Sequence, residues 1–136
     1  MEKLPSEVRS FKTLIVEDND AFRHVLKDLL QRHFPLLSLE EACDVREAKE
    51  KLGHCDADLV FMDIKLSDGN GLQLTETFKR AYPRLTVIIL TSYDYPEYRE
   101  AAVQSGANHF ISKEKVGEQA FLATIQSTLD EMIHQV

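Results

Sequence analysis

Short apolar runs alternate with helical patterns along this chain, and that alternation constrains the fold more than any other feature of the sequence. The runs are apolar at successive positions and contain β-branched residues, which is typical of strands buried on both faces of a parallel sheet. Between them, apolar residues recur every three or four positions, as on one face of a helix. The five predicted strands are residues 13–16, 37–41, 59–62, 86–90 and 109–111.

Helical periodicity predicts five helices, one after each strand. In the first helix Asp20 is the predicted N-cap, and Val25 belongs to the predicted inward face. Gly53 is predicted to end the second helix, and residues 67–71 are predicted to form a loop before the third. The helical patterns lie within residues 22–30, 44–52, 72–82, 96–105 and 118–134.

The order of these elements predicts one α/β domain. Strands that alternate with helices form βαβ units with right-handed crossovers, so the five strands are expected to form a parallel sheet with helices on both faces. Residues 1–10 are polar and contain Pro5, and we expect them to form a loose tail. No linker or repeat interrupts residues 11–136, which are expected to form the domain.

Composition excludes several classes of protein. The chain has 136 residues, with 16 Lys and Arg against 23 Asp and Glu, which gives a net charge of −7. Direct binding to nucleic acid or to an anionic membrane is disfavoured, because phosphate contacts need clustered Lys and Arg. Cys43 and Cys55 are too few for a disulfide scaffold or a zinc site. With no signal peptide and no apolar stretch of about 20 residues, we expect a small cytoplasmic domain.

Polar side chains follow the predicted strands where the strands end. Glu17 and Asp18 follow the first, Asp63 the third, Thr91 the fourth and Lys113 the fifth. Each has an ordinary explanation alone, as a helix cap, a turn residue, a strand former or a surface charge. The ends of parallel strands meet at one edge of a sheet, however, and ligands bind there. The set is therefore expected to form one site.

The residue types at this edge favour phosphoryl chemistry with a bound cation. Clustered carboxylates repel unless a cation offsets them, and Mg²⁺ prefers oxygen ligands, so Asp18 and Asp63 are the predicted ligands and Glu17 assists. Asp63 is the candidate nucleophile, which would form an aspartyl phosphate. Thr91 would donate to one phosphoryl oxygen, and Lys113 would pair with another.

The same residues carry a family resemblance. The motifs are LIVED at 14–18, LVFMD at 59–63 with Gly71 eight positions after Asp63, ILTS at 89–92, and HFISK at 109–113. Asp18 and Asp63 are 45 positions apart, Thr91 follows after 28 more, and Lys113 after a further 22. From about residue 11 to its end, the chain resembles the receiver domain of two-component response regulators.

The resemblance implies a fold, a reaction and a cofactor. The fold is a flavodoxin-like, doubly wound, five-stranded parallel sheet with strand order 2-1-3-4-5 and five helices. Asp63 takes a phosphoryl group from a phosphohistidine on a sensor histidine kinase or a phosphotransfer protein. Glu17, Asp18, Asp63 and the backbone carbonyl of Lys65 arrange Mg²⁺. Such a domain is a phosphoacceptor switch, not an enzyme beyond slow self-dephosphorylation.

The resemblance also implies how the signal leaves the domain. Thr91 moves toward the phosphoryl group, and Phe110 exchanges between exposed and buried rotamers. The face of the fourth helix, fifth strand and fifth helix then controls an output domain or partner protein. Lys65 and Tyr93 stand where the family tunes phosphate lifetime. Lys113 precedes Glu114 instead of Pro, which is typical of receivers that precede a helix-turn-helix domain.

Three alternatives and two open points accompany this interpretation. An Asp-nucleophile phosphohydrolase normally has a second acid where this chain has Lys65. A flavin or dinucleotide module needs glycines after the first strand, and none is present there. A receiver-like interaction module would act without phosphorylation. Whether the domain stands alone or precedes an output domain, and whether it forms a homodimer, stay open.

Overall fold

The computed structural model describes residues 10–134, and within them a single five-stranded parallel sheet forms the centre of the molecule. The strands are β1 (Phe11–Val16), β2 (Leu37–Ala42), β3 (Leu59–Met62), β4 (Lys65–Leu66), β5 (Gly69–Asn70), β6 (Thr86–Thr91) and β7 (His109–Ser112). The strand order of the sheet is β2-β1-β3-β6-β7, which confirms the predicted doubly wound order once the sheet strands are counted along the chain.

In the part of the chain that the structure describes, five α-helices cover the two faces of this sheet, as predicted. The helices are α1 (Asp20–His33), α2 (Val45–Cys55), α3 (Gly71–Ala81), α4 (Pro96–Ser105) and α5 (Gln119–His134). Successive strand residues point to opposite faces, so neighbours in β1 enter different cores: Leu14 packs beneath α2, α3 and α4, and Ile15 beneath α1 and α5. No helix within residues 10–134 is long and apolar enough to cross a membrane.

Three details of the first two helices differ from the sequence prediction. Asn19, not Asp20, is the N-cap of α1, because its side chain accepts a hydrogen bond from Phe22 N–H at 2.9 Å. Val25 is 58% exposed, since it lies about 100° around the helix from buried Leu26. Helix α2 continues through Gly53 to Cys55, and it ends at a residue in the left-handed conformation.

The predicted loop at residues 67–71 is a short antiparallel hairpin instead. Lys65 pairs with Asn70, and the carboxylate of Asp68 at its tip accepts from Val45 N–H at 2.7 Å and Arg46 N–H at 3.1 Å. The side chain of Asn70 then caps α3. The hairpin thus links the segment after β3 to the first turn of α2. Residues 1–9, and with them most of the predicted tail, lie outside the described residues.

Candidate functional site

Three carboxylates lie together at the carboxyl ends of β1 and β3. Glu17, Asp18 and Asp63 each offer an oxygen, and these oxygens lie within 4.8 Å of one another. Glu17 is 2% exposed and Asp63 5%, whereas Asp18 is exposed. The central strands bring these residues together. Val16 directly precedes Glu17, and its carbonyl oxygen accepts a hydrogen bond from Asp63 N–H at 3.1 Å.

Lys113 brings positive charge to the buried carboxylates. Its Nζ lies 2.7 Å from Glu17 Oε1 and 3.4 Å from Asp63 Oδ2, and 4.7 Å from the centre of the Phe22 ring. One ammonium does not offset three carboxylates. Burial, followed by the negative charge of Glu17, raises the pKa of Asp63 from 3.8 to about 7, although Lys113 opposes this shift.

The donor set fits a hard divalent cation. All three side chains supply oxygen, two of them are buried, and the cluster has an excess of negative charge after Lys113 is counted. Mg²⁺ binds through one or two carboxylates and keeps several waters, for which the exposed side of Asp18 leaves room. Lys65, whose carbonyl was predicted as a further ligand, lies in β4 two residues beyond Asp63.

Arg23 supports the acidic loop and was not identified from the sequence. Its Nη1 donates to the backbone carbonyl of Glu17 at 2.7 Å, and its other nitrogens contact Asp20 at 2.7 Å and Glu41 at 3.0 Å. Burial alone would lower its pKa, but its bonds to the two acids outweigh this and raise it. No local signal marks this role, since the contact to Glu41 joins α1 to β2.

We expect Arg23→Met to lower the free energy of unfolding by about 1–2 kcal/mol, because it leaves the Glu17 carbonyl without its side-chain donor and removes one of the two cations that pair with Glu41. Lys27→Met is the matched control, since Lys27 also pairs with Glu41, at 2.8 Å, but has no bond to Glu17. Lys27→Met is expected to lower the free energy of unfolding by less than about 0.5 kcal/mol. Urea unfolding measures both, and equal losses would contradict the role of the Glu17 bond.

Thr91 is the last residue of β6 and is fully buried. Its Oγ1 accepts a hydrogen bond from Tyr93 N–H at 3.0 Å. Strand β6 lies next to β3, so Thr91 belongs to the edge of the sheet that bears Asp63. The hydroxyl is therefore engaged with its own loop in this structure.

Lys65 and Tyr93, the two residues predicted to tune phosphate lifetime, contact each other. Lys65 Nζ lies 5.3 Å from the centre of the Tyr93 ring and 5.7 Å from that of Tyr98 on α4. These distances are within the range of a cation–π interaction. Tyr98 was not identified from the sequence, because its approach to Lys65 depends on where α4 packs.

A second acidic group, at Cys43, Asp44 and Glu47, has a structural explanation. Asp44 caps α2 by accepting from Glu47 N–H at 2.8 Å, and the Glu47 carboxylate accepts from Cys43 N–H at 2.7 Å. The first bond satisfies a free N–H group in the first turn of the helix, and the second ties the residue before the cap to that turn. The group is therefore a helix cap.

Comparison with known proteins decides the family. The family model of the response regulator receiver domain matches residues 13–126. The chain belongs to the response regulator receiver family. Receiver domains are signalling switches of two-component systems, and they typically bind Mg²⁺ at an acidic pocket. The sequence-based identification and the flavodoxin-like fold are thereby confirmed.

Relatives of this receiver occur in proteins with different outputs. It is 33% identical over 106 residues to the DNA-binding transcriptional activator DevR/DosR of Mycobacterium tuberculosis, covering 78% of this chain and 49% of that protein. It is 31% identical over 102 residues to the chemotaxis protein CheY of Halobacterium salinarum, covering 75% and 83%. The chain spans about half or less of the length of the first curated relatives it matches.

A solved structure shows the same fold. A CheY-like response regulator receiver domain protein from Methanospirillum hungatei JF-1 is 28% identical and superimposes with a TM-score of 0.84, covering 93% of this chain and 99% of that one.

Proposed function

We propose that this receiver takes a phosphoryl group onto Asp63 from a phosphohistidine on a sensor histidine kinase or a phosphotransfer protein. The observation that carries the proposal is the environment of the Asp63 carboxylate. It is buried at a strand end, within 4.8 Å of the Glu17 and Asp18 oxygens, with Lys113 Nζ 3.4 Å from its Oδ2. A carboxylate in such a setting serves as the nucleophile for phosphoryl transfer.

The residues have distinct roles in this transfer. Asp63 attacks phosphorus as the bond from phosphorus to the histidine nitrogen breaks, which leaves an acyl phosphate on Asp63 and a neutral histidine on the donor. Glu17, Asp18, Asp63 and the Lys65 carbonyl would hold Mg²⁺, which when bound supplies positive charge to the phosphoryl oxygens. Lys113 pairs with another of these oxygens.

Thr91 and Phe110 carry the signal away from the site. Thr91 donates to the phosphoryl group, Phe110 turns inward, and the face of α4, β7 and α5 changes for an output domain or partner. We expect this cytoplasmic domain to contact neither nucleic acid nor membrane itself, given its net charge of −7. A homodimer through that face, or through α1 and α5, is compatible with such an output. Beyond slow self-dephosphorylation, we propose no enzymatic activity.

Intact mass after incubation with acetyl phosphate tests the transfer. Wild type is expected to gain one phosphoryl group only when Mg²⁺ is present, and Asp63→Asn is expected to gain none. Asp58→Asn is the matched control, since Asp58 lies at the other end of β3, where its carboxylate accepts from Lys12 N–H at 2.9 Å. No gain by wild type under any condition would contradict phosphotransfer and favour an interaction module that acts without phosphorylation.

Lys65 and Tyr93 are proposed to shield the acyl phosphate from water. Lys65 lies two residues beyond Asp63, and its ammonium contacts the Tyr93 and Tyr98 rings. We expect Lys65→Ala to speed hydrolysis of the acyl phosphate by about two- to fivefold. This factor corresponds to the interaction energy of an exposed cation–π contact. Dephosphorylation is followed by intact mass after acetyl phosphate is removed. Lys49→Ala is the control, because Lys49 is an exposed lysine of α2. A dephosphorylation rate in Lys65→Ala equal to that of wild type would contradict a shielding role for Lys65.

A further inference from the structure

The aromatic ring of Phe110 is covered by a cation from α4. The guanidinium carbon of Arg99 lies 4.7 Å from the centre of the Phe110 ring. Phe110 is half-buried on β7 and packs against the core beneath α2, α3 and α4. A guanidinium at this distance attracts the ring face and also covers part of its apolar surface. The contact therefore favours the half-exposed position that Phe110 has here.

Asp94 fixes the position of that guanidinium. Arg99 Nε donates to Asp94 Oδ1 at 2.7 Å, and Nη2 donates to Oδ2 at 3.2 Å. Two parallel bonds set the plane of the guanidinium as well as its location, which a single bond would not do. The Asp94 carboxylate thus determines how Arg99 lies on Phe110.

The same loop also holds Thr91. Asp94 lies three residues after Thr91, and Tyr93 between them donates its N–H to Thr91 Oγ1 at 3.0 Å. If Thr91 moves toward Asp63, either this hydrogen bond breaks or Tyr93 moves with Thr91. Asp94 is the next residue of the chain, so it belongs to the segment that moves. Thr91 and Phe110 are thereby connected through Asp94 and Arg99, by contacts that the family resemblance did not supply.

We propose that the Asp94–Arg99 ion pair positions Phe110 in its half-exposed rotamer and releases it when the loop after Thr91 moves. The proposal rests on the proposed function, in which Thr91 and Phe110 are the switch residues. Arg99 is in this view a positioning residue, since it acts on Phe110 and touches no reacting atom. The coupling needs an acid at position 94 and a cation at position 99, and this chain has Asp94 and Arg99 there.

The size of the effect suits a switch. The Arg99 and Asp94 side chains are 52% and 40% exposed, so both the ion pair and the cation–π contact are weakened by solvent. An exposed contact of this kind changes a two-state equilibrium by about two- to fivefold. The pair therefore biases the Phe110 rotamers without locking them, and phosphorylation can overcome it.

The rotamer populations of Phe110 in the unphosphorylated protein test the proposal directly. Phenylalanine is ¹³C-labelled, Phe110 is assigned with Phe110→Leu, and its χ1 populations are read from three-bond couplings. Variants Arg99→Met and Asp94→Asn are compared with wild type and with the conservative Asp94→Glu. Arg32→Met is the matched control, because Arg32 and Asp28 form an exposed pair at 3.2 Å on α1, away from Phe110.

Arg99→Met and Asp94→Asn are expected to raise the inward population of Phe110 by about two- to fivefold. Asp94→Glu, which keeps the ion pair, and Arg32→Met are expected to match wild type. Asp94→Asn is decisive because it leaves Arg99 in place, so unchanged Phe110 populations in this variant overturn the proposal. Mass gain with acetyl phosphate is measured on each variant. A wild type that gains no phosphoryl group overturns the proposed function, while the couplings still decide whether the pair positions Phe110.

Discussion

Replacing Gly71 by alanine is expected to lower the free energy of unfolding by about 3 kcal/mol or more. A Cβ at this position would lie 1.8 Å from the carbonyl oxygen of Asp63 and 2.8 Å from its carbonyl carbon. Backbone atoms cannot turn away as a side chain does, and Gly71 N–H is also bonded to the Ile64 carbonyl at 2.8 Å. Either the start of α3 or the backbone of Asp63 must therefore move.

Urea unfolding followed by circular dichroism measures this loss, and Gly53→Ala is its matched control. Gly53 is likewise helical, but nothing lies within 4 Å of the added Cβ. Alanine there is expected to raise the free energy of unfolding by about 0.5–1 kcal/mol through helix propensity. If Gly71→Ala unfolds at the same urea concentration as wild type, the close approach of α3 to Asp63 is contradicted.

Asp63→Asn is expected to raise the free energy of unfolding at pH 8 without Mg²⁺ by about 3–4 kcal/mol. A carboxyl whose pKa is raised from 3.8 to about 7 binds its proton more tightly in the folded state. The folded state therefore loses stability as the pH rises from about 4 to about 7, and the full cost remains above that. Asparagine removes the negative charge that Glu17 repels. The gain in stability over wild type should shrink toward pH 5, because the Asp63 carboxyl of wild type is then protonated.

Thermal unfolding at pH 5 and pH 8, with and without Mg²⁺, measures this effect. Added Mg²⁺ is expected to stabilise wild type and to narrow its difference from Asp63→Asn, since a cation that binds only the folded state shifts the equilibrium toward it. Asp130→Asn is the control, because Asp130 is exposed on α5 and does not belong to the carboxylate cluster. An Asp63→Asn variant less stable than wild type at pH 8 would contradict repulsion between the buried carboxylates.

Much of the fold could be read along the chain. Strands and helices leave local signals, since a run apolar on both faces indicates a buried strand and a recurrence at three and four positions indicates a helix. The helix at Pro96–Ser105 was predicted at its observed ends because Pro begins it and Gly106, with φ +96°, ends it. The errors at Asp20 and Val25 concerned local helix geometry, whereas at Gly53 the helix continues to Cys55 and buries Leu52 one position earlier.

The candidate site was predictable for a related reason. Parallel strands end at one edge, so Glu17, Asp63, Thr91 and Lys113 could be brought together from their positions after strands. The structure confirms that Glu17, Asp63 and Lys113 meet, whereas phosphorylation, Mg²⁺ binding and the switch remain predictions. The family resemblance added Lys65, Tyr93 and Phe110 to this set.

The sequence by itself determined the order of elements, the edge of the sheet where chemistry collects and the family. Only the tertiary structure decided which side chains hold that edge in place. Arg23 reaches the Glu17 carbonyl, Tyr98 reaches Lys65, and Arg99 lies on Phe110 because helices pack on the sheet at particular positions. Periodicity shows which face of a helix turns inward, but it carries no information on which residue of another element that face will meet.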